Sequence, residues 1–166
     1  KNPQLDPEER AMIARAIGIG AVKYSDLSND RVKDYIFSFE RMLSFDGNTA
    51  PYLQNAYVRI RSIFRKAGET KPGLIVAAAP EERALALKLL QFGDAVESAA
   101  SSLEPHRLCN YLYELASIYH HFYECCPVLK AADDATRTSR LGLSDLVART
   151  LKLGLGLLGS EVVERM

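Results

Sequence analysis

Apolar positions along this chain recur mostly at helical rather than strand spacing. The clearest stretch opens at Pro105: Leu108, Leu112, Leu115, Tyr119, Phe122 and Tyr123 form one apolar stripe, and Pro127 stops it. A second follows the turn Phe45-Asp46-Gly47. Asn48 or Thr49 caps it, Pro51 sits in the first turn, where its missing N–H is not needed, and Gly68 ends it after Arg65 and Lys66. Asp6-Pro7-Glu8-Glu9 starts a third helix, carrying Met12, Ile13, Ile17 and Val22 to about Leu27, with Gly18 and Gly20 marking close packing or a bend. Ser28-Asn29-Asp30 is a turn or a new cap. Pro80-Glu81-Glu82 opens a helix through Leu85, Leu89 and Leu90 that closes before Gly93, and 94–102 reads as a short helix of small residues. The last helix spans about 140–158. Its tail, LKLGLGLLG, alternates like a strand, but leucine richness and the lack of β-branched residues favour helix, and leucines pointing all round place it centrally. Residues 31–42 stay undecided, since Tyr35, Phe37 and Phe39 alternate as in extended chain, and 131–138 reads as a linker. The pattern predicts an all-α bundle of five or six helices.

Composition adds little to that picture until charge is followed along the chain. At 166 residues there is enough chain for one real core with an appended piece. Lys+Arg and Asp+Glu are both 21, so net charge advertises no partner. The distribution is less even. Residues 52–71 hold Arg59, Arg61, Arg65, Lys66 and Lys71 against Glu69 alone, whereas acids outnumber bases over 80–134. A basic face beside an acidic flank would orient an RNA without a large overall field. Three cysteines, two of them adjacent, are no disulfide framework and point to a reducing compartment. No signal peptide or membrane-spanning run is visible. The chain opens without methionine in a polar stretch and is expected to be a domain excised from a longer protein.

The chemistry with the strongest signal lies in GNTAPYLQNAYVRIRSIFRK, residues 47–66. Its wet face interleaves Tyr52 and Tyr57 with Arg59, Arg61, Arg65 and Lys66 and carries no acid. Rings and guanidinium groups so mixed suit stacking on unpaired bases while holding phosphates; an ordinary core helix with a solvated basic face fits the same residues. His121 and Cys125 stand four apart, a spacing that can hold a metal, but no second ligand pair follows at zinc-site spacing, so no metal is expected and Cys125 and Cys126 read as small apolar packers. Tyr111, Tyr113, Tyr119 and Tyr123 read mainly as core, with one at an open end able to stack on a base. Arg140 and Arg165 read as surface or ion-pair residues. Gly-rich phosphate loops, G-x-S-x-G and H-E-x-x-H are missing.

GNTAPYLQNAYVRIRSI closely resembles the start of the anticodon-binding domain of arginyl-tRNA synthetases. Upstream, AIGIGAVKYSDLSNDRVKDYIFSFERML is similar to the family's segment joining catalytic and helical domains. Downstream, PEERALALKLLQF, PHRLCNYLYELASIYHHFYECCPVL and the terminal GLGLLGSEVVERM follow in the family's order. The resemblance implies a division into 1–38, the end of the catalytic and stem-contact region with its connector, and 39–166, the helical anticodon-binding domain of a class I aminoacyl-tRNA synthetase. It implies a cytoplasmic, monomeric recognition region with tRNA-Arg as partner and no membrane. The central anticodon cytosine would be the main determinant. Arginine and ATP would be bound by a catalytic domain whose HIGH-type and KMSKS-type elements are not in this sequence, so no cofactor and no catalytic residue is expected here. Carried over by position, the resemblance implies anticodon contacts at Asn55, Arg59, Tyr123 and Met166, with Tyr52 or Tyr57 as the ring that would compensate at Asn55 and Tyr52 counted among the contacts. Asn55 stands where the family has an aromatic, a departure that removes a stacking ring. Ser160 replaces an apolar residue and Val163 a common proline, while the terminal ERM is kept. A helical protein-interaction module without RNA binding is the alternative, motivated by zero net charge and by these departures.

Overall fold

Four helices of this chain begin within one residue of a proline, where an absent N–H costs nothing. Residues 6–166 are described by a computed structural model; the polar opening at 1–5, part of the 1–38 segment, lies outside the described residues. The elements are α1 (Pro7–Leu27), α2 (Phe39–Met42), α3 (Ala50–Ala67), α4 (Pro80–Leu90), α5 (Phe92–Ser102), α6 (Pro105–Cys125) and α7 (Asp134–Leu157). Six are substantial helices and α2 is a single turn; no strand occurs among the described residues.

Thr49, rather than Asn48, caps α3: its hydroxyl accepts from the Tyr52 N–H at 3.2 Å and donates to the Ser44 carbonyl at 2.7 Å. Gly68 ends the helix at a positive φ of 65°. In the undecided stretch, 34–38 is irregular and Ser38 then caps α2 by accepting from the Arg41 N–H. The linker reading of 131–138 is overturned over most of its length, because α7 already begins at Asp134. There Asp133 accepts from both the N–H and the hydroxyl of Thr136 at 2.8 Å. A polar N-terminal turn carries no apolar period, so its cap is the only signal.

The core runs between α3, α6 and α7, with α4 and α5 packed on α6 and α1 laid across α3. Leu53, Ala56 and Ile60 from α3, Leu112, Leu115, Tyr119 and Phe122 from α6, and Leu141, Val147, Leu151 and Leu155 from α7 are sealed from solvent. Two expectations are corrected. Met12 on α1 is 67% exposed; the helix docks instead through Gly20, Ala21 and Tyr24, whose hydroxyl donates to Asn48 Oδ1 (2.7 Å) and the Cys109 carbonyl (2.9 Å). And α7 is not buried all round, since Leu146, Leu153 and Leu157 face outward.

Two close contacts hold α7 in place. Gly154 lets α6 approach so tightly that an added Cβ would lie 2.5 Å from Leu112 Cδ2. Farther up α7, the guanidinium of Arg140 donates to buried Glu82 (2.6 Å) and to the Pro127 carbonyl (2.9 Å). Glu82 also accepts from the N–H groups of Ala78 and Ala79, closing the start of α4. Burial pushes this carboxyl up, but the Ala79 N–H, Arg140 and the Ala78 N–H outweigh burial and hold it below the ordinary carboxylate value.

Gly154→Ala is therefore expected to lose about 1–3 kcal/mol by overpacking against Leu112, read as a lower urea midpoint at unchanged slope. Because the folded Glu82 carboxyl is depressed, its contribution is present above the unfolded value of about 4.3 and is lost as pH falls through the folded one. Arg140→Met is expected to cost about 3 kcal/mol at neutral pH and to flatten the acid limb of stability against pH. An unchanged acid limb would remove the pair from any part in acid unfolding.

Candidate nucleic-acid interface

One buried stripe fixes the rotation of α3, and the rotation decides which cations meet what. Successive helical residues turn by about 100°. With Leu53, Ala56, Ile60 and Ile63 turned inward, Asn55 and Arg59 lie on one shoulder of the helix, while Tyr57, Arg61 and Arg65 lie on the other.

On the first shoulder α3 meets the last turns of α6. The Arg59 guanidinium lies over the Tyr123 ring at 5.8 Å, within cation–π range. Tyr123 is 38% exposed and leans on buried Tyr119, with ring centroids 6.4 Å apart. Beneath this pair, Tyr52 is committed to packing: it sits edge-on to His120 at 5.0 Å, its hydroxyl lies 2.9 Å from His120 Nδ1 and 3.3 Å from the Ser117 hydroxyl, and its ring tilts against Tyr113. Burial, followed by the Arg59 charge, pushes His120 down against a weaker upward pull from Glu124. Its imidazole is thus neutral at physiological pH, and Arg59 supplies the positive charge beside the exposed ring. Asn55 is half-buried on the same shoulder.

On the second shoulder the chain's last residues run along the helix. Gly159, at a φ of 68°, reverses the chain after α7; the Ser160 N–H returns to the Leu155 carbonyl (2.8 Å) and the Gly159 N–H to that of Gly156 (2.9 Å). The reversed tail is then fastened three times. Lys23 donates to the Gly159 carbonyl (2.8 Å) and Gln54 to that of Glu161 (2.8 Å). At Glu164 the carboxylate accepts from the Tyr57 hydroxyl and Arg61 Nε, both at 2.9 Å, and the carbonyl accepts from Arg65 at 3.0 Å. Burial raises the Glu164 carboxyl, but Arg61 and Tyr57 outweigh it and leave it below the ordinary range. Burial and the facing carboxylate push the Tyr57 phenol up to about 12.

The candidate residues thus separate. Arg59 and Tyr123 are brought together, with Asn55 on the same shoulder and Tyr52 beneath. Met166 is half-buried and lies within two residues of Glu164, a reach of about 7 Å. Sequence reasoning counted Arg61 and Arg65 as part of an acid-free face. It missed that Glu164, about a hundred positions away, faces both. The acid in the terminal GSEVVERM was the available signal, but periodicity carries no information about which distant segment covers a helix.

Residues 53–166, well over half of the chain, match the family model described as "DALR anticodon binding domain", and residues 1–39 match "tRNA synthetases class I (R), catalytic domain". Among curated relatives, an arginine–tRNA ligase of Cellvibrio japonicus is 58% identical over all of this chain and 29% of its own length, and one of Frankia casuarinae is 57% identical over all of this chain and 28% of its own. The chain therefore spans under a third of the length of the curated relatives it matches. Among solved structures, Thermus thermophilus arginyl-tRNA synthetase superposes with a TM-score of 0.90 at 40% identity, over 99% of this chain and 29% of the other. The Plasmodium falciparum arginyl-tRNA synthetase gives 0.82 at 31%, over 93% and 28%. The helical fold is thus shared with both, and the chain belongs to the DALR anticodon-binding domain family.

Proposed function

We propose that this chain is the tRNA-recognition region of an arginine–tRNA ligase. It binds the anticodon stem-loop of tRNA-Arg so that a catalytic domain elsewhere in the whole protein can attach arginine using ATP. In this reading residues 1–38 are the end of the catalytic and stem-contact region with its connector, 39–166 form the recognition domain, and the protein is cytoplasmic and monomeric. The observation that carries it is Arg59 over the exposed Tyr123 ring: a cation and a π-face presented together at the open edge between α3 and α6. A base taken out of its stack loses a few kcal/mol, and an aromatic contact of about 1–3 kcal/mol offsets much of that.

The roles follow from exposure. Tyr123 stacks on the unstacked central cytosine, Arg59 holds its edge or the adjoining phosphate, and Asn55 hydrogen-bonds a base edge. Tyr52 acts from below, holding His120 and the Tyr113 ring in place. Met166, delivered by the Glu164 fastening, closes over the base. The same fastening occupies Arg61 and Arg65, which leaves Arg59 as the cation of α3 set beside the ring.

Fluorescence anisotropy of this chain with tRNA-Arg and with a variant changed only at the central anticodon base, at low and moderate salt, tests the reading. A clear preference for the unaltered anticodon is expected. Tyr123→Ala should reduce the preference by about tenfold, and Arg59→Ala should weaken binding, uniformly if it holds phosphate and selectively if it reads the base. Equal affinity for both RNAs would favour a helical interaction module instead. Glu164→Gln should leave helicity unchanged and lower affinity by about threefold, the modest effect proper to an exposed ion pair; undiminished binding would mean that the tail takes no part.

A further inference from the structure

The start of α4 and the end of α6 bring together three side chains that the recognition face does not use. The carboxylate of Glu81, an imidazole nitrogen of His121 and the thiol of Cys125 all lie within 4.8 Å of one another, the only such group among the described residues. His121 and Cys125 are one turn apart on α6. The sulfur is nearly equidistant from the two ring nitrogens, at 3.8 and 3.9 Å. Two ligands on one tetrahedral zinc ion, with Zn–S near 2.3 Å and Zn–N near 2.0 Å, stand about 3.5 Å apart. Turning the imidazole so that one nitrogen faces the sulfur gives that geometry, and His121 and Cys125 are both exposed and so have room to turn. The third ligand comes from a different helix, which the sequence spacing alone did not reveal.

The surroundings favour a cation. His121 and Cys125 bracket the last turn of α6, where the carbonyl end of the helix is negative and no basic residue stands. The Arg140 guanidinium, which meets the start of α4, is held by the Glu82 carboxylate and the Pro127 carbonyl. Glu81 differs from its neighbour: Glu82 is buried and saturated by Arg140 and two backbone N–H groups, whereas Glu81 is half-buried. Cys126 belongs to the core, where burial raises its thiol, and takes no part.

We infer that Glu81, His121 and Cys125 form a surface site for one zinc-like divalent ion, joining the first turn of α4 to the last turn of α6 and leaving a fourth position to water. A borderline-soft ion suits a thiolate, imidazole and carboxylate set better than magnesium or calcium, which take oxygen ligands. On binding, the Cys125 S–H bond is replaced by S–metal and its proton passes to solvent; no electron is transferred. The site stands apart from the RNA reading, but it clamps the turn that carries Tyr123.

The test is titration of the reduced, metal-free chain with Co2+ alone, followed by Zn2+. One equivalent of Co2+ is expected to give the visible bands of a tetrahedral ion with a near-ultraviolet thiolate-to-cobalt band, both abolished by one equivalent of Zn2+, and Zn2+ is expected to raise the thermal midpoint. Cys125→Ser should remove the thiolate band, and His121→Ala and Glu81→Ala should each weaken binding by about tenfold or more. His106→Ala should change nothing. His121 and Cys125 are exposed and Glu81 is half-buried, and circular dichroism should report unchanged folding in each variant. Absence of the thiolate band, its survival in Cys125→Ser, affinity unmoved by Glu81→Ala, or half an ion per chain would overturn the site.

Discussion

The interior stripe of α3 is the constraint on which the rest of the molecule depends. Burying an aliphatic side chain of that size contributes about 1.5–3 kcal/mol, so turning Leu53, Ile60 and Ile63 outward would cost more than any surface contact returns. That preference sets the helix's rotation with no reference to function. Once it is set, odd-numbered neighbours on α3 have different fates: Arg59 faces the end of α6, and Arg61, one position pair further on, faces the returning tail. A cation's role here is decided by apolar residues it does not touch.

Polar fastening then does what apolar packing cannot. The tail after α7 lacks regular secondary structure, yet it is given a register by groups on two helices: Lys23 from α1, and Gln54, Tyr57, Arg61 and Arg65 from α3. Gln54 is fully buried and also reaches the Ala16 carbonyl, so one amide spans α1, α3 and the tail. Gly20 makes room for it; a Cβ there would lie 3.1 Å from the Gln54 nitrogen. The glycine read from the sequence as close packing or a bend is where two helices share a polar contact.

Legibility followed the kind of signal. Helix starts at Pro7, Pro51, Pro80 and Pro105 and the stop at Gly68 were readable because each is a local stereochemical requirement. The α6 stripe was readable because its period is long and clean. What failed were inferences about facing. The apolar residues marked on α1 include Met12, which points to solvent, because the helix docks through small residues and a tyrosine hydroxyl that carry no hydrophobic period. In α7 the leucine-rich tail predicted burial on all sides, but only one side meets α6 and α3. The Arg59–Tyr123 pair and the Glu81–His121–Cys125 group each join helices distant in sequence, and no one-dimensional spacing encodes such a meeting.

The tail's hydrogen bonds to Gln54 and Tyr57 each bridge 107 positions of sequence. Contacts of that separation close long loops, and loop-closure entropy places them later in assembly than the pairing of sequence neighbours such as α5 and α6. Wherever the tail is not seated, Arg61 loses the Glu164 carboxylate and Arg65 the Glu164 carbonyl, and the second shoulder of α3 is more basic than in the fastened form.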